Sequence, residues 1–366
     1  MAQAIPKQTI LIVDDSPENI DVLHAVLHPL YTIKAATSGD KALKLVHSDP
    51  QPDLILLDVM MPGLDGYEVC RLLKAEACSR DIPVIFVTAR GEIADEEHGL
   101  RLGAVDYLAK PVSPPIVRAR VHNHLQLKYH QDNLQRLVLE RTRELAMTRS
   151  ATIESMAVLA EYRDPETGGH IQRTKNYVLL LAQHLASHPD YAAQLDDETI
   201  ALLVESAPLH DIGKVGIPDQ ILLKPGRLTA AEFEEMKKHA KYGHDTIKAT
   251  EKKLGQQLSF LRHAREIAYS HHERWDGSGY PRGLSGNTIP LSGRFMALAD
   301  VYDALISKRV YKPPFPHRKA VGIITEGSAG HFDPAMVAAF LQLEGEFRQV
   351  ALQFADFPEE REALAK

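Results

Sequence analysis

The sequence predicts an α/β domain with a doubly wound, five-stranded parallel sheet, followed by a connector helix and an all-α domain. Three observations lead to this fold class. Between residues 9 and 125, short apolar runs alternate with amphipathic segments, which is the pattern of parallel strands joined by crossover helices. Residues 116–159 lack glycine, and beyond residue 150 apolar residues recur at three- and four-residue spacing, as in packed helices. We expect domains at 1–125 and 151–366, with the connector at 126–150.

The predicted strands of the first domain are rich in β-branched and aliphatic side chains, and turn residues separate them from the predicted helices. In chain order, the strands are the runs TILIV, YTIKA, DLILL, PVIFV and VDYL. The helices between them are expected near Pro17–Leu27, Gly39–Val46, Gly66–Ala75 and Glu92–Leu102. A last helix follows Lys110-Pro111, where a cis peptide bond is a candidate.

The connector contains no proline after Pro115 and is filled with long residues of good helix propensity. This predicts one extended helix. Leu134, Val138 and Leu145 occupy heptad-compatible positions, although Arg141 and Thr148 interrupt the seam. We expect a coiled-coil homodimer, with a monomeric helix packed on one of its own domains as the alternative.

The second domain has periodic apolar segments broken by Gly- and Pro-rich stretches, and it shows no convincing strand ladder. The predicted helices lie near 151–163, 170–187, 197–212, 229–240, 243–254, 258–272, 293–306, 317–326 and 334–343. Asp333-Pro334 has the residue types of a helix start, with Asp as the cap and Pro at the first helical position.

The overall composition excludes several classes of protein. The hydrophobic fraction of 44% and the charged fraction of 25% are typical of globular domains, and no apolar run approaches the roughly 20 residues that cross a membrane. The N-terminus has no signal-peptide pattern, so we expect a cytoplasmic protein that does not bind membranes. A formal net charge of −7 and the absence of a helix-turn-helix pattern argue against direct nucleic-acid binding. Cys70 and Cys78 lack CxxC spacing and are expected to be reduced.

Polar side chains follow the strands of the predicted sheet. Asp14 and Asp15 end the first strand, Asp58 ends the third, Thr88 ends the fourth and Lys110 follows the fifth. Because the carboxyl ends of parallel strands meet at one edge, these groups are expected to converge. Crowded carboxylates suit Mg²⁺, and one of them, Asp58, could attack phosphorus while Lys110 neutralises the phosphoryl oxygens. Helix capping explains any one of these acids, but it does not explain why polar residues stand at the strand ends at all five positions.

Residues 9 to about 125 resemble the flavodoxin-like receiver domain of two-component response regulators. The matching residues are Asp14, Asp15, Asp58 within LLDVMMPGLDG, Thr88, Tyr107 and Lys110 before Pro111. The resemblance implies that a sensor histidine kinase phosphorylates Asp58 beside a bound Mg²⁺. It also implies that Thr88 and Tyr107 are the switch residues.

A second group of polar residues surrounds HDIGK, where His210 and Asp211 offer a nitrogen and a carboxylate to a metal ion. Asp211 has a second oxygen for a neighbouring ion, and Lys214 is near enough to face what the metals hold. The full candidate ligand set is Glu166, His170, His210, Asp211, His239, His271, His272 and Asp300. Nitrogen and oxygen donors without thiolate suit two or three Fe, Mn, Ni, Co or Zn ions bridged by Asp211 and hydroxide.

Residues from about 150 to 345 resemble an HD-GYP domain, the subclass of HD metal-dependent phosphohydrolases that cleaves cyclic di-GMP. HDIGK, HHERWDGSGYP, ALADVYDAL and SKRVYK carry the resemblance. It implies hydrolysis to linear pGpG, with or without further cleavage to GMP, by hydroxide activated at a two- or three-metal centre, with iron or manganese favoured. The residues implied to bind substrate are Lys214, Tyr280, Arg309 and Lys312.

Two alternatives stay open at this point. The second domain could act mainly as a nucleotide-sensing or partner-binding module, for example one that recruits GGDEF-domain proteins. Alternatively, it could prefer pGpG or another cyclic dinucleotide as substrate. The ligand set retains every expected residue, which favours an enzyme.

Overall fold

The computed structural model describes residues 7–89, 93–161, 168–255, 259–308 and 313–366. Contacts divide the chain into two compact units, Met1–Arg143 and Glu144–Lys366. Three of the predicted site residues, Glu166, Arg309 and Lys312, lie outside the described residues. Within the described ranges, no helix combines the length and the apolar character that a membrane span requires.

The first unit contains a five-stranded parallel sheet with the order β2-β1-β3-β4-β5, which confirms the predicted α/β fold. The strands are β1 Thr9–Val13, β2 Thr32–Ala36, β3 Leu54–Asp58, β4 Val84–Ala89 and β5 Asp106–Lys110. The helices between them are α1 Pro17–Leu27, α2 Gly39–Val46, α3 Gly66–Ala75 and α4 Ile93–Arg101. Every residue of β1 and β3 is buried, because helices cover both faces of the sheet. Val13 pairs with Leu57, so Asp14, which follows β1, and Asp58, which ends β3, lie at the same edge of the sheet.

Helix α5 spans Pro114–Glu161 without interruption, which confirms the single extended helix predicted for the connector. The boundary between the two units falls within it, after Arg143. Leu134, Val138 and Leu145 are 63%, 58% and 70% exposed.

The second unit is helical, as predicted. After α5, its helices are α6 Gly168–Ala186, α7 Asp197–Ser206, α8 Asp219–Leu222, α9 Ala230–Met236, α10 Lys238–Leu254, α11 Ser259–Ser270, α12 Leu291–Ile306, α13 His317–Glu326, α14 Pro334–Gln342, α15 Glu344–Gln353 and α16 Pro358–Leu364. The core lies between α6, α7, α12 and α14, where Tyr177, Tyr302 and Phe340 are fully buried. Asp333 caps α14 through the Ala335 backbone N–H, and Pro334 is the first helical residue, as predicted.

Several helices differ from the prediction. The helix expected over 197–212 ends at Ser206, because Pro208 has no N–H to continue the α-helical hydrogen bonds, and two short 3₁₀ helices follow. His239 was expected at the end of a helix, but it lies in the first turn of α10. Helices α15 and α16 were not predicted, because their sequences are largely polar and only a few of their residues, such as Phe347, enter the core.

Candidate active sites

The acids at the sheet edge of the first unit gather around Lys110. Its Nζ atom lies 2.8 Å from Asp14 Oδ2 and 2.8 Å from Asp58 Oδ2. Asp15 is exposed, and oxygen atoms of Asp14, Asp15 and Asp58 lie within 4.8 Å of one another. Burial raises the pKa of Asp58 and nearby Asp14 adds to this effect, whereas the hydrogen bond from Lys110 opposes it. A divalent cation among these oxygens would relieve the repulsion between the carboxylates.

The two predicted switch residues of the first unit are both half-buried. The Thr88 hydroxyl donates a hydrogen bond to the Ala89 carbonyl at 3.1 Å. The Arg120 guanidinium lies 5.4 Å from the centre of the Tyr107 ring. The Lys110-Pro111 peptide bond is cis, as predicted.

Asp211 stands at the centre of the second site, and its two oxygens face different residues. Oδ1 lies 3.2 Å from His239 Nε2 and 3.5 Å from His271 Nε2. Oδ2 lies 3.3 Å from His210 Nε2 and 2.8 Å from Lys214 Nζ. Burial raises the pKa of Asp211, but Lys214 and His210 together lower it more, so the carboxyl pKa lies well below its usual range. One buried carboxylate can therefore serve two neighbouring cation positions.

The candidate ligands form two adjacent groups. One atom from each of Asp211, His239, His271 and His272 lies within 4.8 Å of the others. His170, His210 and Asp300 form the second group in the same way, with 3.4 Å between the Nε2 atoms of the two histidines. The structure thus brings together seven of the eight predicted ligands, and the eighth, Glu166, falls outside the described residues.

The hydrogen bonds of His210, His239 and His271 determine which ring nitrogen is available to a metal. Each Nδ1 donates to a backbone carbonyl, and a carbonyl oxygen can only accept. The carbonyls belong to Ala207, Met236 and Ile267, at 3.0, 2.7 and 3.0 Å. In the neutral ring, each Nε2 therefore presents a lone pair to the site. Burial lowers the pKa of His271, which favours its neutral form.

Three buried atoms of this site have no hydrogen-bond partner: Asp211 Oδ1, His239 Nε2 and His271 Nε2. All three are acceptors, and acceptors that face one another at these distances repel. A metal cation between them would satisfy all three, so the residues fit a bound ion. Burial lowers the pKa of His210, but nearby Asp211 raises it more, so the pKa lies above its ordinary value.

The backbone at Gly213 allows this geometry. A Cβ atom at this position would lie 2.0 Å from the His239 carbonyl oxygen and 2.5 Å from the Gly243 nitrogen. Only glycine permits the 3₁₀ helix Ile212–Gly216 to approach α10 so closely. This close approach sets Asp211 against His239.

Two functional residues that sequence reasoning missed lie behind His170. The Nδ1 atom of His170 is 2.8 Å from Asp303 Oδ2. Arg173 donates two hydrogen bonds to the same carboxylate, from Nε to Oδ1 at 2.6 Å and from Nη2 to Oδ2 at 3.0 Å. Burial raises the pKa of Asp303, but Arg173 and His170 lower it more, to well below its usual range. A helical spacing of three could have revealed both residues, since Asp303 follows Asp300 and Arg173 follows His170 by that interval.

An aromatic patch lies beside the ligand groups. The ring centroids of Tyr280 and His272 are 4.7 Å apart, and those of Tyr280 and Phe233 are 6.1 Å apart. Lys237 Nζ lies 5.7 Å from the Tyr280 ring centre. The loop that carries Tyr280 is held by buried Glu273, whose two oxygens accept the backbone N–H groups of residues 282 and 284 at 2.9 Å. The patch offers a stacking surface next to a cation.

Comparisons with known proteins cover both units. The response regulator receiver domain model matches residues 10–122, and the HD domain model matches residues 154–336. A probable cyclic di-GMP phosphodiesterase of Vibrio cholerae is 50% identical over 355 residues, which cover 95% of this chain and 80% of that protein. The cyclic di-GMP phosphodiesterase response regulator RpfG of Xanthomonas campestris is 36% identical, over 94% of this chain and 90% of that protein.

A further relative matches a little over half of the chain. The 3'3'-cGAMP-specific phosphodiesterase 2 of Vibrio cholerae is 39% identical over 213 residues, which cover 58% of this chain and 38% of that protein. The cyclic di-GMP phosphodiesterase relatives of Vibrio cholerae and Xanthomonas campestris, in contrast, match most of the chain. The chain therefore belongs to the family of response regulators in which a receiver domain is followed by an HD domain.

Proposed function

We propose that this chain hydrolyses cyclic di-GMP to linear pGpG and that phosphorylation of Asp58 regulates the reaction. The observation that carries the proposal is the position of Asp211, whose two oxygens face two groups of ligands while Lys214 Nζ lies 2.8 Å away. Relatives named as cyclic di-GMP phosphodiesterases support the substrate. A centre of this kind suits a phosphodiester, whose charge several cations can share.

Two ions would be held by the two ligand groups, and Glu166 would provide a ligand for a third. Iron or manganese is our proposal for their identity. The donors are imidazole nitrogens and carboxylate oxygens without thiolate, which suit these ions as well as Ni, Co or Zn. When bound, such ions supply Lewis acidity and lower the pKa of water. Asp211 shares its charge between the two groups, and the carbonyl-bound Nδ1 atoms keep the imidazole lone pairs directed inward.

The other residues of the site would hold the substrate. Lys214 provides a positive charge for a phosphate oxygen or for the departing 3′-oxygen, and Arg309 and Lys312 are our candidates for further phosphate or guanine contacts. A guanine would stack on the Tyr280 ring. Burial raises the pKa of Tyr280, so the ring stays neutral and does not repel the dianionic substrate.

Control would begin at the first unit. A sensor histidine kinase would transfer a phosphoryl group to Asp58, with Mg²⁺ at Asp14, Asp15 and Asp58 and with Lys110 neutralising the added charge. Thr88 and Tyr107 would respond to it as switch residues. We also propose that the protein acts in the cytoplasm, where the kinase reaction and cyclic dinucleotide signalling would take place.

The test is a hydrolysis assay on protein loaded anaerobically with Fe(II) or Mn(II), with and without an acyl-phosphate donor. We expect wild type to convert cyclic di-GMP to pGpG and the double variant His210→Ala, Asp211→Ala to leave it intact. The acyl-phosphate donor should change the hydrolysis rate of wild type but not that of Asp58→Asn, a variant that leaves the Asp211 site intact. Unchanged cyclic di-GMP in fully metal-loaded wild type would refute the enzymatic proposal, whereas equal rates with and without the donor would remove only the regulation.

A second candidate substrate is 3'3'-cGAMP, favoured by the 39% identity to a phosphodiesterase named for it. The same assay with both cyclic dinucleotides in competition separates the two. Preferential loss of cyclic di-GMP supports the main proposal, and preferential loss of the mixed dinucleotide supports the second.

We also propose a homodimer through α5, because Leu134, Val138 and Leu145 are exposed on one side of the helix. We expect Val138→Glu to convert the dimer to a monomer in sedimentation or light-scattering measurements. The matched control is Leu139→Glu, since Leu139 is 72% exposed but lies about 100° around the helix. An equal effect of both substitutions, or a wild type that is already monomeric, would contradict the dimer.

A further inference from the structure

Three exposed side chains of residue types that bind metals, His47, Glu76 and Cys78, form a cluster on the surface of the first unit. His47 follows α2, whereas Glu76 and Cys78 follow α3. The Cys78 Sγ atom is 3.9 Å from His47 Nδ1 and 3.7 Å from Glu76 Oε2, and His47 Nε2 is 3.2 Å from the same Glu76 oxygen. A nitrogen, an oxygen and a sulfur, each from a different side chain, thus lie within 4.8 Å of one another.

These separations can be compared with those around a single metal ion. Zinc binds Cys sulfur at about 2.3 Å and His nitrogen or carboxylate oxygen at about 2.0–2.2 Å, so tetrahedral ligand atoms lie about 3.3–3.7 Å apart. One ion takes only one nitrogen of His47, so either the Sγ–Nδ1 distance of 3.9 Å or the Nε2–Oε2 distance of 3.2 Å belongs to its ligand set, together with the Sγ–Oε2 distance of 3.7 Å. Each of these distances lies within a few tenths of an ångström of this range. We propose that His47, Glu76 and Cys78 bind a transition-metal ion such as Zn²⁺, with a fourth position open to water.

Hydrogen bonds hold the backbone around Glu76 and Cys78 in place. Ser79 is buried, and its hydroxyl donates to the Leu73 carbonyl at 2.7 Å. The Arg80 N–H donates to the Glu76 carbonyl at 2.9 Å, and the Gln51 side chain donates to the Cys78 carbonyl at 3.0 Å. Because these bonds hold the loop, an ion would need to order only side chains, which lowers the entropic cost of binding.

The donor set distinguishes this site from the one around Asp211. The described ligands of the Asp211 site are nitrogen and oxygen atoms, whereas the surface cluster adds a thiol, a soft ligand that favours Zn²⁺ and Co²⁺ over Mg²⁺. Cys78 is exposed and would bind as the thiolate, with release of its proton to solvent. The other cysteine, Cys70, is buried in the receiver core and lies apart from this cluster.

The test is a Co²⁺ titration of the full chain followed by optical absorption, since a thiolate ligand produces a sulfur-to-cobalt charge-transfer band that nitrogen and oxygen ligands do not. We expect wild type to show this band at micromolar free Co²⁺ and Zn²⁺ to displace it. Cys78→Ser should abolish the band, and His47→Ala should weaken Co²⁺ binding at least about tenfold.

Two control variants test whether the absorption band comes from His47 and Cys78 and not from another histidine or cysteine. His28→Ala removes another exposed histidine of the same unit, and Cys70→Ala removes the buried thiol, so both variants should keep the band. Absence of a sulfur band in wild type, its persistence in Cys78→Ser, or half-saturation only at millimolar Co²⁺ would each overturn the proposal. None of these readouts depends on hydrolysis at the Asp211 site.

Discussion

Replacement of Asp211 by asparagine is expected to lower the rate of cyclic di-GMP hydrolysis by at least about 10³-fold, or roughly 4 kcal/mol of barrier at 1.36 kcal/mol per factor of ten. The amide has one acceptor and one donor, whereas both oxygens of Asp211 accept. If its nitrogen faces Lys214, two donors oppose each other at the place of the 2.8 Å contact. If its nitrogen faces His239 and His271, it blocks their lone pairs. The measurements are the hydrolysis rate and the metal content per chain.

The matched control for this variant is Asp197→Asn, in the exposed first turn of α7. It removes the same charge from the same unit and should leave rate and metal content unchanged. Thermal unfolding of the metal-free proteins separates a local effect from misfolding, because Asp211→Asn also weakens the 2.8 Å contact with Lys214 and the Tm measures how much stability this costs. Retention of full metal content and more than about a tenth of the rate would show that Asp211 is not the shared ligand.

Replacement of Asp303 by asparagine is expected to lower two quantities, the free energy of unfolding and the affinity for metal. Arg173 is 2% exposed and would lose the charge of its main partner, so we expect the free energy of unfolding to fall by about 3–5 kcal/mol. His170 would lose the carboxylate that orients its ring, so metal affinity at the group of His170, His210 and Asp300 should fall about 10–100-fold. Urea unfolding of the apo protein and metal titration measure these effects.

Asp356→Asn provides the matched control, because Asp356 pairs with the other side of the same guanidinium, Nη1, at 2.9 Å. Its side chain is 22% exposed, and its ion pair with Arg173 does not involve His170, so its loss should cost less stability and leave metal affinity unchanged. Equal losses of metal affinity in both variants would mean that Asp303 acts only through the stability of the unit. In that case it would have no separate role in positioning His170.

Much of the architecture follows from local sequence. Strands β1 and β3 were predictable because their apolar runs are continuous, and the convergence of Asp14 and Asp58 follows from the shared edge of a parallel sheet. Ligand residues such as His210 and Asp300 were identifiable by type, since acids and imidazoles within apolar or Gly-rich segments require partners. The order of the domains and the length of α5 also follow from composition and the absence of helix breakers.

Only the tertiary structure decided how these groups meet. Which oxygen of Asp211 faces which histidine depends on the close approach allowed at Gly213, and the ring tautomers depend on carbonyls at the ends of helical turns. The partnership of Arg173 with Asp303 joins residues 130 positions apart. His47 and Cys78 likewise belong to different elements. Sequence periodicity reflects the neighbours of a residue along the chain, whereas these contacts arise from packing between elements, and that packing determines the chemistry of each site.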